Sequence, residues 1–131
     1  MSKYFNVGLV RRVLCLYLHN ESEKFSTIFC ENLKRAEVAE VINRSFFFLG
    51  WDVEETKYQS ALVRALSNCS DLSSLVSIVH SKIAAALLIV PIKDSITVFS
   101  CIKGKVSDKD LLTALINVEQ FLIVENQQEK N

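Results

Sequence analysis

The chain has 131 residues, a length that fits one domain. Half of its residues are hydrophobic, 23% are charged, and fifteen basic residues balance fifteen acidic ones. This composition excludes global disorder and provides no net field to draw in nucleic acid or an anionic membrane.

Val13 to Leu18 is a compact apolar run between Arg11-Arg12 and the polar His19-Asn20-Glu21-Ser22, and it reads as a buried strand ending in a loop. Phe25, Ile28, Phe29 and Leu33 then recur at helical spacing, with Ser26 as the expected cap. Val38, Val41 and Ile42 continue the helical pattern after an expected kink near Lys34-Arg35. Phe46-Phe47-Phe48-Leu49-Gly50-Trp51 is the most aromatic strand of the chain, and such density predicts a central strand covered on both faces. Tyr58, Leu62, Val63 and Leu66 mark one helix, and Leu72, Leu75, Val76 and Val79 a second, capped by Ser70 or Asp71.

Ala84 to Ile92 reads as a buried strand whose pairing is limited near Pro91. Lys93-Asp94-Ser95 forms a turn, Ile96 to Ile102 returns as a hairpin partner, and Gly104 closes it. Ser107 caps a final helix with the stripe Leu111, Leu112, Leu115, Val118 and Leu122. The tail from Glu125 to Asn131 is polar and reads as frayed or as the start of a longer helix. The order is βαβαββα. Helical crossovers imply parallel strands, and the hairpin adds an antiparallel pair, so the class is α/β with a four-stranded mixed sheet flanked by helices. That order is thioredoxin-like, in one domain over residues 1–131 with flexible ends at 1–9 and 125–131.

The longest apolar run, Ile83 to Ile92, is shorter than the ~20 residues a membrane span needs, so no transmembrane segment is expected. No signal peptide is read in Met1 to Leu9, and a cytoplasmic or nuclear location follows as the expectation. The sequons at Asn20, Asn43 and Asn68 are accordingly read as silent.

A redox protein of this fold carries Cys-x-x-Cys where the first strand meets its helix. Here that junction is Asn20-Glu21-Ser22-Glu23. Cys15, Cys30, Cys69 and Cys101 form no such pair and, with only His19 and His80, are poor material for zinc. Cys30 reads as a small helical hydrophobe, and His19 has no obvious Cys or Ser partner. The acid pairs Glu21/Glu23 and Glu54/Glu55 read as solvated loop residues. Gly8, Gly50 and Gly104 stand too far apart to cradle a phosphate. No catalytic residue, cofactor or metal site is therefore expected. The loop before the third strand has Ala84-Ala85-Ala86 where this fold usually places a cis-proline.

Leu16-Tyr17-Leu18-His19-Asn20, Phe29-Cys30-Glu31-Asn32-Leu33 and Ala36-Glu37-Val38 resemble the opening of UAS domains. The strand Phe46 to Val53 and the segments Leu87 to Val90, Ile102-Lys103-Gly104 and Asp110-Leu111-Leu112 are similar to the rest of that pattern. The likeness covers roughly Val10 to Val124 and is closest to the FAS-associated-factor branch of the UBX-domain adaptors, though Asn68 to Lys82 departs from it.

The resemblance implies a thioredoxin-like fold without redox activity, in a ubiquitin-pathway adaptor that works with the AAA+ unfoldase valosin-containing protein. It further implies interaction with long-chain unsaturated fatty acids, and self-assembly. No Phe-Pro-Arg loop is present, so the unfoldase contact is expected outside this segment. An acyl carboxylate would seek a cation, and Arg11, Arg12, Lys34, Arg35, Lys103 and Lys105 are the candidates. Two other readings stay open: a purely structural protein-protein interaction domain, and a thiol-dependent oxidoreductase using Cys30 or Cys15.

Overall fold

The computed structural model describes residues 13–92 and 95–130. Arg11, Arg12, the N-terminal segment 1–9 and the tip of the expected turn at 93–94 lie outside them. In chain order come β1 (Val13–His19), α1 (Ser26–Leu33), α2 (Ala36–Ser45), β2 (Phe46–Asp52) and α3 (Thr56–Ser67). A short 3-10 turn (Ser73–Leu75) leads into α4 (Val76–Ser81), followed by β3 (Ala85–Ile92), β4 (Ser95–Lys103) and α5 (Asp108–Lys130). Among the described residues, no helix is long and apolar enough to cross a membrane.

The four strands form one mixed sheet in the order β2-β1-β3-β4. β1 pairs β2 in parallel from Val13↔Phe46 to His19↔Asp52. β3 is antiparallel to both β1 and β4. The second helical connection therefore does not make a parallel crossover. β2 ends beside His19, and β3 starts beside Leu18, at the same end of the sheet. The chain leaves and re-enters at one end, which an outgoing α3 and a returning turn with α4 allow.

Period-2 alternation along β1 divides the core. Val13, Cys15 and Tyr17 face a cluster with Phe29 and Leu33 of α1, Val38, Val41 and Ile42 of α2, and Leu111, Leu115, Val118 and Leu122 of α5. Leu16 and Leu18 face the other side, with Leu62 and Leu66 of α3, Leu75, and Val79 of α4. The result is a helix–sheet–helix sandwich whose central strands, β1 and β3, are covered on both faces.

Several local expectations are corrected. β2 is an edge strand, and of Phe46 to Asp52 only Phe46 is buried; Phe47 is 52% exposed. Its aromatics read as buried because hydropathy carries no information on strand order. The expected kink is a full break: Arg35 takes extended backbone angles, and two helices result. Ser26 does not cap α1. It is buried, and the Glu23 carboxylate accepts from the Phe25 amide instead (2.8 Å). Asp71 does not cap α4 either, because its carboxylate accepts from the Ile96 amide (3.2 Å). Strand pairing continues through Pro91↔Ile96; the irregularity is a bulge between Leu88 and Ile89. Ser107 Oγ does accept from the Asp110 amide (3.1 Å), and α5 continues to Lys130. Gly104 sits at φ +74, where a side chain would be strained, and its amide donates to Ala84 O (2.9 Å).

Candidate functional site

The C-terminal end of β1 is where open α/β sheets place their ligands. Tyr17 and His19, two residues apart, emerge on one face of that strand end. Tyr17 stacks on Phe29 of α1 at a centroid distance of 5.3 Å and lies 6.4 Å from the Phe48 ring of β2. Its hydroxyl is 2.8 Å from His19 Nδ1 and 3.3 Å from Cys30 Sγ. Cys30 Sγ is itself 3.5 Å from His19 Nδ1. On the other side of the imidazole, Nε2 lies 2.6 Å from Glu21 Oε2. A carboxylate at Nε2 requires a proton there, and in the neutral ring Nδ1 is then the acceptor facing the hydroxyl and the thiol.

This grouping corrects two expectations. His19 does have a cysteine partner, and Cys30 is more than a packed hydrophobe. α1 begins right after the β1 loop and turns its Cys30 position back toward the strand end. The separation of eleven residues concealed the contact, and only their joint apolar-facing register hinted at it. Burial first, then the hydrogen bond and charge of Cys30, push the Tyr17 phenol well above its usual range, so it stays protonated. Cys15, deeper on the same face of β1, is pushed up to about 12 by burial alone.

The loop that carries Glu21 is held at several points. Asn20 is buried; its Nδ2 donates to Lys82 O (2.8 Å) and its Oδ1 accepts from the Ser22 amide (3.0 Å). The Ser22 hydroxyl donates to the Glu54 carboxylate. Three of the four acids read as solvated thus have partners: Glu21 on His19, Glu23 on the Phe25 amide and Glu54 on Ser22.

Beside the cluster, α1, α2 and the β2 edge enclose an open cavity of about 390 Å³. Tyr17, Leu33, Ala39, Ile42 and Phe48 supply its apolar walls. Cys30, Lys34 and Asn43 supply its polar groups. A volume of this order suits a small ligand or part of an acyl chain.

Of the described candidate cations, Lys34 alone lines this cavity. Arg35 points to Asp108 of α5 at 3.7 Å. Lys103 and Lys105 are exposed at the end of β4 and just beyond it, on the opposite edge of the sheet from β2. The four described candidates, Lys34, Arg35, Lys103 and Lys105, therefore do not converge. Arg44, on the same helix pair, is taken up by Glu119 of α5 at 2.7 and 3.0 Å.

A family model described as Fas-associated factor 1 matches residues 5–117. Among solved structures, the chain is similar to a thioredoxin from Thermus thermophilus, with a TM-score of 0.61 and 14% identity, over 88% of this chain and 81% of that one. At that identity the likeness concerns the fold alone. No curated protein sequence matches the chain.

Proposed function

The chain belongs to the Fas-associated factor 1 family, and from that premise we propose that it is a non-catalytic binding and assembly module of a ubiquitin-pathway adaptor. Its cavity takes the chain of a long unsaturated fatty acid, with Lys34 receiving the carboxylate. The observation that carries this reading is the pairing of an apolar cavity with one cation at its wall. Filling it would press on Phe48 of the exposed β2 edge, and an apolar edge strand is a natural surface for self-association. Contact with the AAA+ unfoldase valosin-containing protein is made by other parts of such an adaptor, in the cytoplasm or nucleus. Binding rather than turnover is favoured because no two cysteines are spaced as a Cys-x-x-Cys redox pair.

The test is oleate added to the purified chain at neutral pH, with stearate as control. Oleate is expected to raise the melting temperature and shift the size distribution. If oleate and stearate leave both unchanged, the lipid reading is wrong, and a plain protein-interaction domain is the better description.

A further inference from the structure

We propose that Cys30 is a covalent capture site for apolar α,β-unsaturated aldehydes, with His19 as the proton acceptor. The thiol stands at the junction of two features. It shares the cavity wall with apolar side chains and Lys34, and it lies within reach of His19 Nδ1 and the Tyr17 hydroxyl. Nucleophile, base and orienting carboxylate follow in a row: Cys30, His19, Glu21. In the neutral ring, Nδ1 takes the thiol proton directly or through the Tyr17 hydroxyl, which is within reach of both and can then donate to the thiolate. The imidazolium so formed is paired with Glu21.

The chemistry is a conjugate addition. The sulfur forms a bond to the β-carbon, and the π pair moves to the α-carbon. The proton removed from Cys30 returns from His19 to that α-carbon. Nothing leaves, and no oxidant or reductant is needed. An alkenal with an apolar tail suits the site because the tail can lie against Leu33, Ile42 and Phe48 while its β-carbon meets the thiol. Such a site would be stoichiometric, so it adds no turnover. It goes beyond the reversible lipid binding proposed above and shares with it only the cavity.

The purified chain is treated with trans-2-nonenal, and adducts at each cysteine are followed over time by peptide mass spectrometry. Cys30 is expected to react about tenfold faster than Cys69 or the exposed Cys101, and His19→Gln to slow it about tenfold. Glu21→Gln, at an exposed position, is expected to slow it to a lesser degree without affecting folding. Equal rates at the three thiols would overturn the proposal. So would a Cys30 rate unchanged in both variants. The oleate-induced melting shift, measured in Cys30→Ser, separates this site from the lipid reading: loss of nonenal capture with the oleate shift retained supports both. Capture at Cys30 without any oleate shift, even in the unmodified chain, sinks only the lipid reading.

Discussion

Leu16 and Leu49 lie directly opposite one another in the parallel pairing of β1 and β2, yet Leu16 is 2% exposed and Leu49 is 40% exposed. The same residue type, in register on neighbouring strands, has two environments because β1 has strands on both sides and β2 on one. Truncation should separate them. Leu16→Ala is expected to cost about 2–5 kcal/mol, as for a deep core leucine, and Leu49→Ala about 1 kcal/mol or less. Urea titration of both variants checks this; equal losses would mean that β2 is buried in solution.

Lys34 should separate from the other candidate cations. Lys34→Ala is expected to weaken oleate binding about tenfold, equivalent to one lost charge-assisted contact. Lys103→Ala and Lys105→Ala, on the far edge of the sheet, should leave it unchanged. Calorimetric titration with oleate below its aggregation threshold provides the comparison. An equal loss in all three variants would point to non-specific charge attraction.

The loop that presents Glu21 depends on Asn20, whose side chain spans to the carbonyl of Lys82. Lys82 holds left-handed backbone angles at φ 57, unusual for a residue with a side chain. Asn20→Ala removes both bonds in a buried setting and is expected to cost about 1–3 kcal/mol. Lys82→Gly is expected to raise stability, by up to about 1 kcal/mol, because glycine adopts that conformation freely. Thermal melts of the two variants should move in opposite directions.

Glu119 gives the fold a pH dependence. The Arg44 hydrogen bond, aided by the Ser45 hydroxyl and opposed by burial, holds its carboxyl below the usual carboxylate range. A depressed folded-state pKa stabilises wherever the carboxyl is ionised in both states. That contribution is lost as pH falls through the folded-state value. The unmodified chain should therefore exceed Glu119→Gln in stability at neutral pH. The gap should close as pH drops below the ordinary carboxylate value of about 4. A gap that persists in acid would assign the effect to packing of α5 on α2 instead of charge.

Much of the fold was legible along the chain. Continuous apolar runs marked β1 and β3, the segment after the Lys93-Asp94-Ser95 turn marked β4, helical spacing marked the stripes of α1, α3 and α5, and Ser107 marked the start of α5. These signals are local: each depends on neighbours within about one turn or one pleat. The Cys30–His19–Tyr17 contact was not legible, because it joins the inward sides of a strand and the next helix. Nor was it legible that, of the described candidate cations, Lys34 is the one beside the cavity.

The sequence alone determined which residues are apolar, roughly where the four strands and the last helix begin, and that no thiol pair occupies the bend after β1. Tertiary structure decided strand order, and with it that the most aromatic strand lies at an edge. It also decided that a thiol, an imidazole and a phenol meet beside one apolar cavity. The physical reason is range: hydropathy and capping act between near neighbours, whereas a site is made by residues that the sheet brings together.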